Sequence, residues 1–274
     1  MNRTTTRRAL LVGSGMLAMV GGTILALDRR SVLDQMPDPA ERARGVGEAN
    51  GVVVAYGDPA TFYVPPFLPA DAKLPLIDMR AAEPSAVWFA LDGIEASLAQ
   101  YPAGFVAKLI KAIFICGRMT FDGETGGGTY GPAWLVLSAP SEIGAEAITL
   151  TSRLGVHHEL SSFVYFHGNT ADAWQRTVPE NWSFARSAAE QLKGKAAPAP
   201  SVDTGFLNAY GATSPENDFN VYAEKMMTEM EVVMRLARRV PMVARKATLV
   251  RKSYAAIDPR MDAVFSALGM TSLE

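Results

Sequence analysis

Three features of this 274-residue chain predict an α+β protein. Short apolar runs bounded by glycine and proline, such as Gly51–Gly57 and Ala133–Leu137, read as strands. Other stretches repeat apolar residues at helical spacing, as Val87, Leu91, Ile94, Leu98 and Tyr101 do. The two patterns alternate up to about residue 166, and the part beyond is mostly helical.

The first element is an export signal or membrane anchor over residues 1–30. Thr6-Arg7-Arg8-Ala9-Leu10-Leu11 opens an uncharged apolar segment that runs to Leu27. Paired arginines before leucines fit a twin-arginine signal, which sends folded proteins out of the bacterial cytoplasm. An ordinary signal peptide, or an inner-membrane anchor through residues 9–27, fits the same residues, because the segment is about long enough to span a bilayer. Either way the protein is expected in the periplasm or cell envelope. Its expected partners are the export machinery and the membrane.

Residues 31–75 read as an extended N-terminal segment. A short polar helix or tether precedes the strand between Gly51 and Gly57, and five prolines follow in residues 57–75. Residues 76–262 form the expected main domain, with 263–274 as a tail. Leu76–Met79 is a short strand, and a helix starts at Glu83-Pro84-Ser85. A strand over 113–119, a glycine turn over 123–128 and a strand over 133–137 come next. Residues 141–166 are helical. Thr213-Ser214-Pro215-Glu216 opens a later helix with a hydroxyl cap, a first-turn proline and acids near the positive dipole end. Met226, Met227, Met230 and Met234 read as core packing, and the basic series from Arg235 to Lys252, Lys246 included, as a solvated face.

The composition removes some function classes. Net charge is −2, so charge makes no case for nucleic acid. The single cysteine, Cys116, lies in an apolar run and excludes a zinc site built on several thiolates.

All three histidines fall in one stretch, Leu154-Gly155-Val156-His157-His158-Glu159-Leu160-Ser161-Ser162-Phe163-Val164-Tyr165-Phe166-His167. A metal-hydrolase helix carries His-Glu and a second His four residues after the first, so that both imidazoles share a face. Here Ser162 stands at that second position. A hydrogen-bonded cluster in a buried helix is the alternative reading of these residues.

Leu98–Pro102, the glycines 126–128, His157–Ser162 and Asn208–Phe219 together resemble the zincin-fold zinc-binding metallopeptidases, which are distantly similar to the anthrax lethal factor protease group. The resemblance covers roughly residues 76–262. It implies a zincin-like catalytic domain of a small sheet plus helices, zinc as cofactor and a peptide or protein substrate. It places His158 at the first ligand and Glu159 at the general base. Ser162 and Asn217 stand where the second histidine and the ligand glutamate belong. His157, Glu216 and Asp218 are the nearest substitutes. The implied function is an exported, peptidase-like metal-dependent hydrolase with an altered His-Glu-x-x-Ser motif. The alternative is a non-catalytic envelope binding or scaffold protein on the same fold.

Overall fold

The computed structural model describes residues 38–59, 77–180, 182–185, 187–193 and 201–271. The expected export segment and the proline-rich part of the N-terminal stretch lie outside the described residues.

The architecture is α+β. The central sheet has four strands in the order β1 (Val53–Tyr56), β3 (Ala112–Cys116), β7 (Trp134–Ser138) and β6 (Gly128–Gly131). The first three are parallel, and β6 runs antiparallel along β7 as the edge. A second, antiparallel sheet joins β2 (Ile77–Met79), β4 (Met119–Phe121) and β5 (Glu124–Gly126). Asp122 and Gly123, both with positive φ, make the two-residue turn between β4 and β5.

Every residue of β3 and β7 is buried, because the central sheet is covered on both faces. Side chains alternate along a strand. Ile113, Ile115, Leu135 and Leu137 therefore enter the large helical core. Ala112, Phe114, Cys116, Trp134 and Val136 pack instead with Met119, Phe121 and Ile77 of the small sheet. Cys116 is thus a core thiol, and burial pushes its pKa up to about 12.

Three helices make the frame of the site. These are α2 (Pro84–Leu98), α4 (Ala145–Tyr165) and α7 (Pro215–Thr228). Helices α2 and α4 run parallel. Their close approach needs Gly93, where a Cβ would stand 2.2 Å from the Thr149 carbonyl oxygen. Thr149 Oγ1 donates to the Phe89 carbonyl (2.9 Å) and Ser97 Oγ to the Arg153 carbonyl (2.8 Å), which fixes the register. Helix α7 crosses α4 on its other side and runs antiparallel to it. Its start is as expected: Pro215 leads, and Ser214 Oγ accepts the Asn217 amide at 2.9 Å.

All described residues belong to one compact unit, Pro37–Glu274. Helix α1 (Ala40–Asn50) buries Ala43, Val46 and Gly47, and β1 pairs along β3. The polar composition of this segment hides the narrow apolar stripe that docks it. The boundary expected at 262 falls within the helix Met261–Ala267, whose Met261 and Phe265 are buried. The single strand expected over 113–119 is two, split at Gly117 and Arg118. The four methionines 226, 227, 230 and 234 are core residues, as expected. Lys246 is a correction, since it is fully buried rather than solvated. Among the described residues no helix is long and apolar enough to cross a membrane.

Candidate functional site

Helix α4 carries its polar residues to three different neighbours. Successive residues of a helix point about 100° apart. His157 therefore faces α2, Glu159 faces β6 and the open side, and His158, Ser161 and Ser162 face α7.

His157 is buried, and its Nδ1 meets the Tyr101 hydroxyl at 2.8 Å. Burial, reinforced by Arg153, drives its pKa down to about 3, so the ring is neutral. It is a core residue of the α2–α4 seam.

His158 lies on the other side, with Nδ1 3.1 Å from Glu224 Oε2 on α7. Burial alone would lower its pKa. The bond to Glu224 and the charges of Glu159, Glu224 and Glu216 outweigh that, and the pKa is raised. Glu159 is 9% exposed and lies against the edge strand. A Cβ on Gly128 would come within 2.7 Å of its Oε1, so glycine is what leaves the carboxylate room. Among the described residues no hydrogen-bond donor reaches this carboxylate. Burial chiefly raises its pKa to about 7; His158 opposes the shift, and Glu216 and Glu224 add to it.

A cleft of about 200 Å³ opens beside these residues. Its walls are Gly128–Tyr130 of β6, Phe121, His158 and Glu159 of α4, Tyr210, and Glu216, Asn217 and Asn220 of α7, with Gln191 and Leu192 from Ala188–Leu192. The Tyr130 hydroxyl interacts with both Glu216 and Ser162. The Tyr210 ring lies 5.5 Å from that of His158. Burial first, then the neighbouring carboxylates, raise the pKa of both phenols.

Of the expected zinc donors, His158 and Glu216 share the cleft with Glu159, and the others do not join them. Ser162, at the second ligand position, is fully buried, and its Oγ accepts from Asn220 Nδ2 at 2.9 Å. Ser161 Oγ donates to Asn220 Oδ1 at 2.6 Å. One asparagine thus clasps two serines where a second imidazole would be needed. Asn217 does reach the cleft, but its amide donates to Thr213 Oγ1 at 2.9 Å and to Gln191 Oε1 at 3.4 Å. Two of the substitutes are misplaced. His157 faces α2, and Asp218 turns inward to Lys246 Nζ (2.6 Å) and Trp174 Nε1 (3.0 Å). Among the described residues no three His, Cys, Asp or Glu side chains form a group that could hold a metal ion. Zinc needs imidazole, thiolate or carboxylate donors converging at about 2.0–2.3 Å. A serine held in a hydrogen-bond clasp and an amide do not fit that seat.

Tyr130, Tyr210, Asn220 and Glu224 are site residues that reading the chain did not single out. Glu216, Asn220 and Glu224 recur every fourth residue, which puts a polar stripe on one face of α7. That stripe was a usable signal. Tyr130 had none, since only sheet pairing carries it to the cleft.

No family model and no curated protein matches the chain. Its structure is similar to a solved structure described as a "putative zinc-binding metallo-peptidase" from Bacteroides caccae, with a TM-score of 0.48 and 14% sequence identity over 89% of this chain and 93% of the other.

Proposed function

We propose that this is an exported, peptidase-like protein of the cell envelope, built on the zincin plan, whose cleft binds a peptide-type ligand after losing the zinc seat. The observation that carries the reading is the clasp of Asn220 on Ser161 and Ser162, which occupies the second-ligand position beside an intact His158-Glu159 pair. Peptide hydrolysis is accordingly slow or absent. A hydrolase reading has its own support: Glu159, near neutrality in pKa, sits in a cleft beside an imidazole, as a general acid or base would.

Restoring the lost donors tests the first reading. The purified chain should contain no stoichiometric zinc by elemental analysis. The Ser162→His/Asn217→Glu double variant should hold near one zinc per chain, and His158→Ala on that background should lose it. A double variant that gains no zinc removes the zincin reading. Peptide hydrolysis by the unaltered chain that disappears in Glu159→Gln favours the hydrolase instead. Export rests on Arg7-Arg8 before the apolar segment. Changing both arginines to lysine should keep the protein in the cytoplasm on cell fractionation, and unchanged export would leave a general signal or anchor.

A further inference from the structure

We propose that the cleft between α4 and α7 seats an organic cation, a guanidinium or ammonium group at the end of a basic peptide side chain, on the carboxylates of Glu159 and Glu216. The inference rests on the reading that this cleft is the ligand site, and it names what the ligand must carry.

Four observations converge on it. The first is the inventory of polar groups. Glu159, nine-tenths buried and lining the cleft, has no donor among the described residues. Glu216 lines the same cleft. Asn217 spends its amide protons on Thr213 and Gln191, which leaves its carbonyl oxygen as an acceptor. Asn220 gives one amide proton to Ser162 and accepts the Ser161 hydroxyl. The Tyr130 hydroxyl serves Glu216, while the Glu159 carboxylate has no donor among the described residues, and a buried acceptor without a donor is costly. A guanidinium brings five donors and an ammonium three.

The second observation is charge. Glu159, Glu216 and Glu224 surround one imidazole, His158, and among the described residues no lysine or arginine lines the cleft. Lys225 pairs with Glu229 and lies 4.0 Å from Glu224 Oε1, so the charge of Glu224 is partly met and Glu159 and Glu216 are the acids left to the cleft. The third is the aromatic lining. Phe121, Tyr130 and Tyr210 present ring surfaces to the cleft, and cations are attracted to such faces.

The fourth observation separates an organic cation from a metal ion. A metal draws its donors to one point, within about 2.0–2.6 Å. The carboxylates here do not group in that way. Charged hydrogen bonds at about 2.7–2.9 Å from several nitrogens tolerate acceptors that are spread apart. The size agrees: about 200 Å³ is below the roughly 300–1,000 Å³ that encloses a drug-sized molecule, and one side chain suits it.

Titration calorimetry on the purified full chain tests this with three probes: N-acetyl-arginine amide, N-acetyl-norleucine amide and zinc chloride. The arginine probe should bind one per chain, and the norleucine probe should bind at least about tenfold more weakly. Glu159→Gln and Glu216→Gln should each weaken the arginine probe by about tenfold or more, and Asp203→Asn, an acid outside the cleft, should not. Equal binding of the two peptide probes overturns the proposal and leaves the peptide-cleft reading standing. Failure of both probes to bind overturns both. One zinc per chain that competes with the arginine probe and is lost in His158→Ala also overturns the proposal, because the acids would then be a metal seat.

Discussion

Two buried carboxylates sit on opposite sides of the α4–α7 pair, and they are solved differently. Asp218 points into the core. It meets Lys246 Nζ and Trp174 Nε1, and Lys246 also donates to the Gly205 carbonyl at 2.9 Å. The ammonium stands 4.3 Å from the Phe206 ring centroid and within 5.6 Å of those of Trp174 and Tyr222. Glu159 points to the cleft and has no donor among the described residues. Burial raises both carboxyls to about 7, although at Asp218 the lysine opposes the rise. The same direction of shift thus has two meanings. Where the protein supplies the counter-charge, the acid holds helices together. Where it supplies none and a cleft adjoins, the acid is left for a ligand.

The largest expected effect breaks the ion-paired member of that comparison, whose Oδ2 takes both donors while its buried Oδ1 has no partner among the described residues. Lys246→Met leaves Asp218 buried without its counter-charge and should destabilise the protein by about 3–5 kcal/mol in urea denaturation at pH 8. Adding Asp218→Asn should recover much of the loss. If Lys246→Met alone costs nothing, the pair is not what joins α7 to α9 (Pro241–Ile257).

The unsatisfied member predicts the opposite sign. Between the ordinary carboxyl value of 4.5 and about 7, native Glu159 keeps a proton that the unfolded chain has already released. Stability attached to this group therefore falls as pH rises through that window, and the penalty is complete above it. Glu159→Gln removes the penalty. It should be more stable than the unaltered chain by about 2–3 kcal/mol at pH 8.5 and no more stable at pH 4. A destabilised Glu159→Gln at pH 8.5 would mean that the carboxylate has a partner in the protein.

The smallest effect concerns the neutral seam. Tyr101→Phe removes the bond to His157 and should cost about 1 kcal/mol at pH 7. It should leave ligand binding in the cleft unchanged, because His157 faces α2. A Tyr101→Phe chain that lost the cleft ligand would show the two sides of α4 to be coupled.

Much of this frame was legible in the chain. Strands β3 and β7 were readable as apolar runs. The helix bearing the histidines was readable from its spacing. The start of α7 was readable from Ser214-Pro215-Glu216, because capping is local chemistry. What could not be read is where each polar residue turns. Asp218 and Lys246 lie 28 positions apart. Asp218 read as a dipole-end acid or a substitute ligand, and Lys246, in a basic series, as solvated.

By itself the sequence determined the element types, the one stretch holding every histidine, and the absence of a second histidine at position 162. These follow from spacing and residue chemistry along a single helix. The tertiary structure alone decided that His157 and His158 serve opposite sides of α4, that Asn220 fills the place of a ligand, and that Glu159 is left without a donor. Each of those depends on which segment stands across from it, and packing between distant segments sets that.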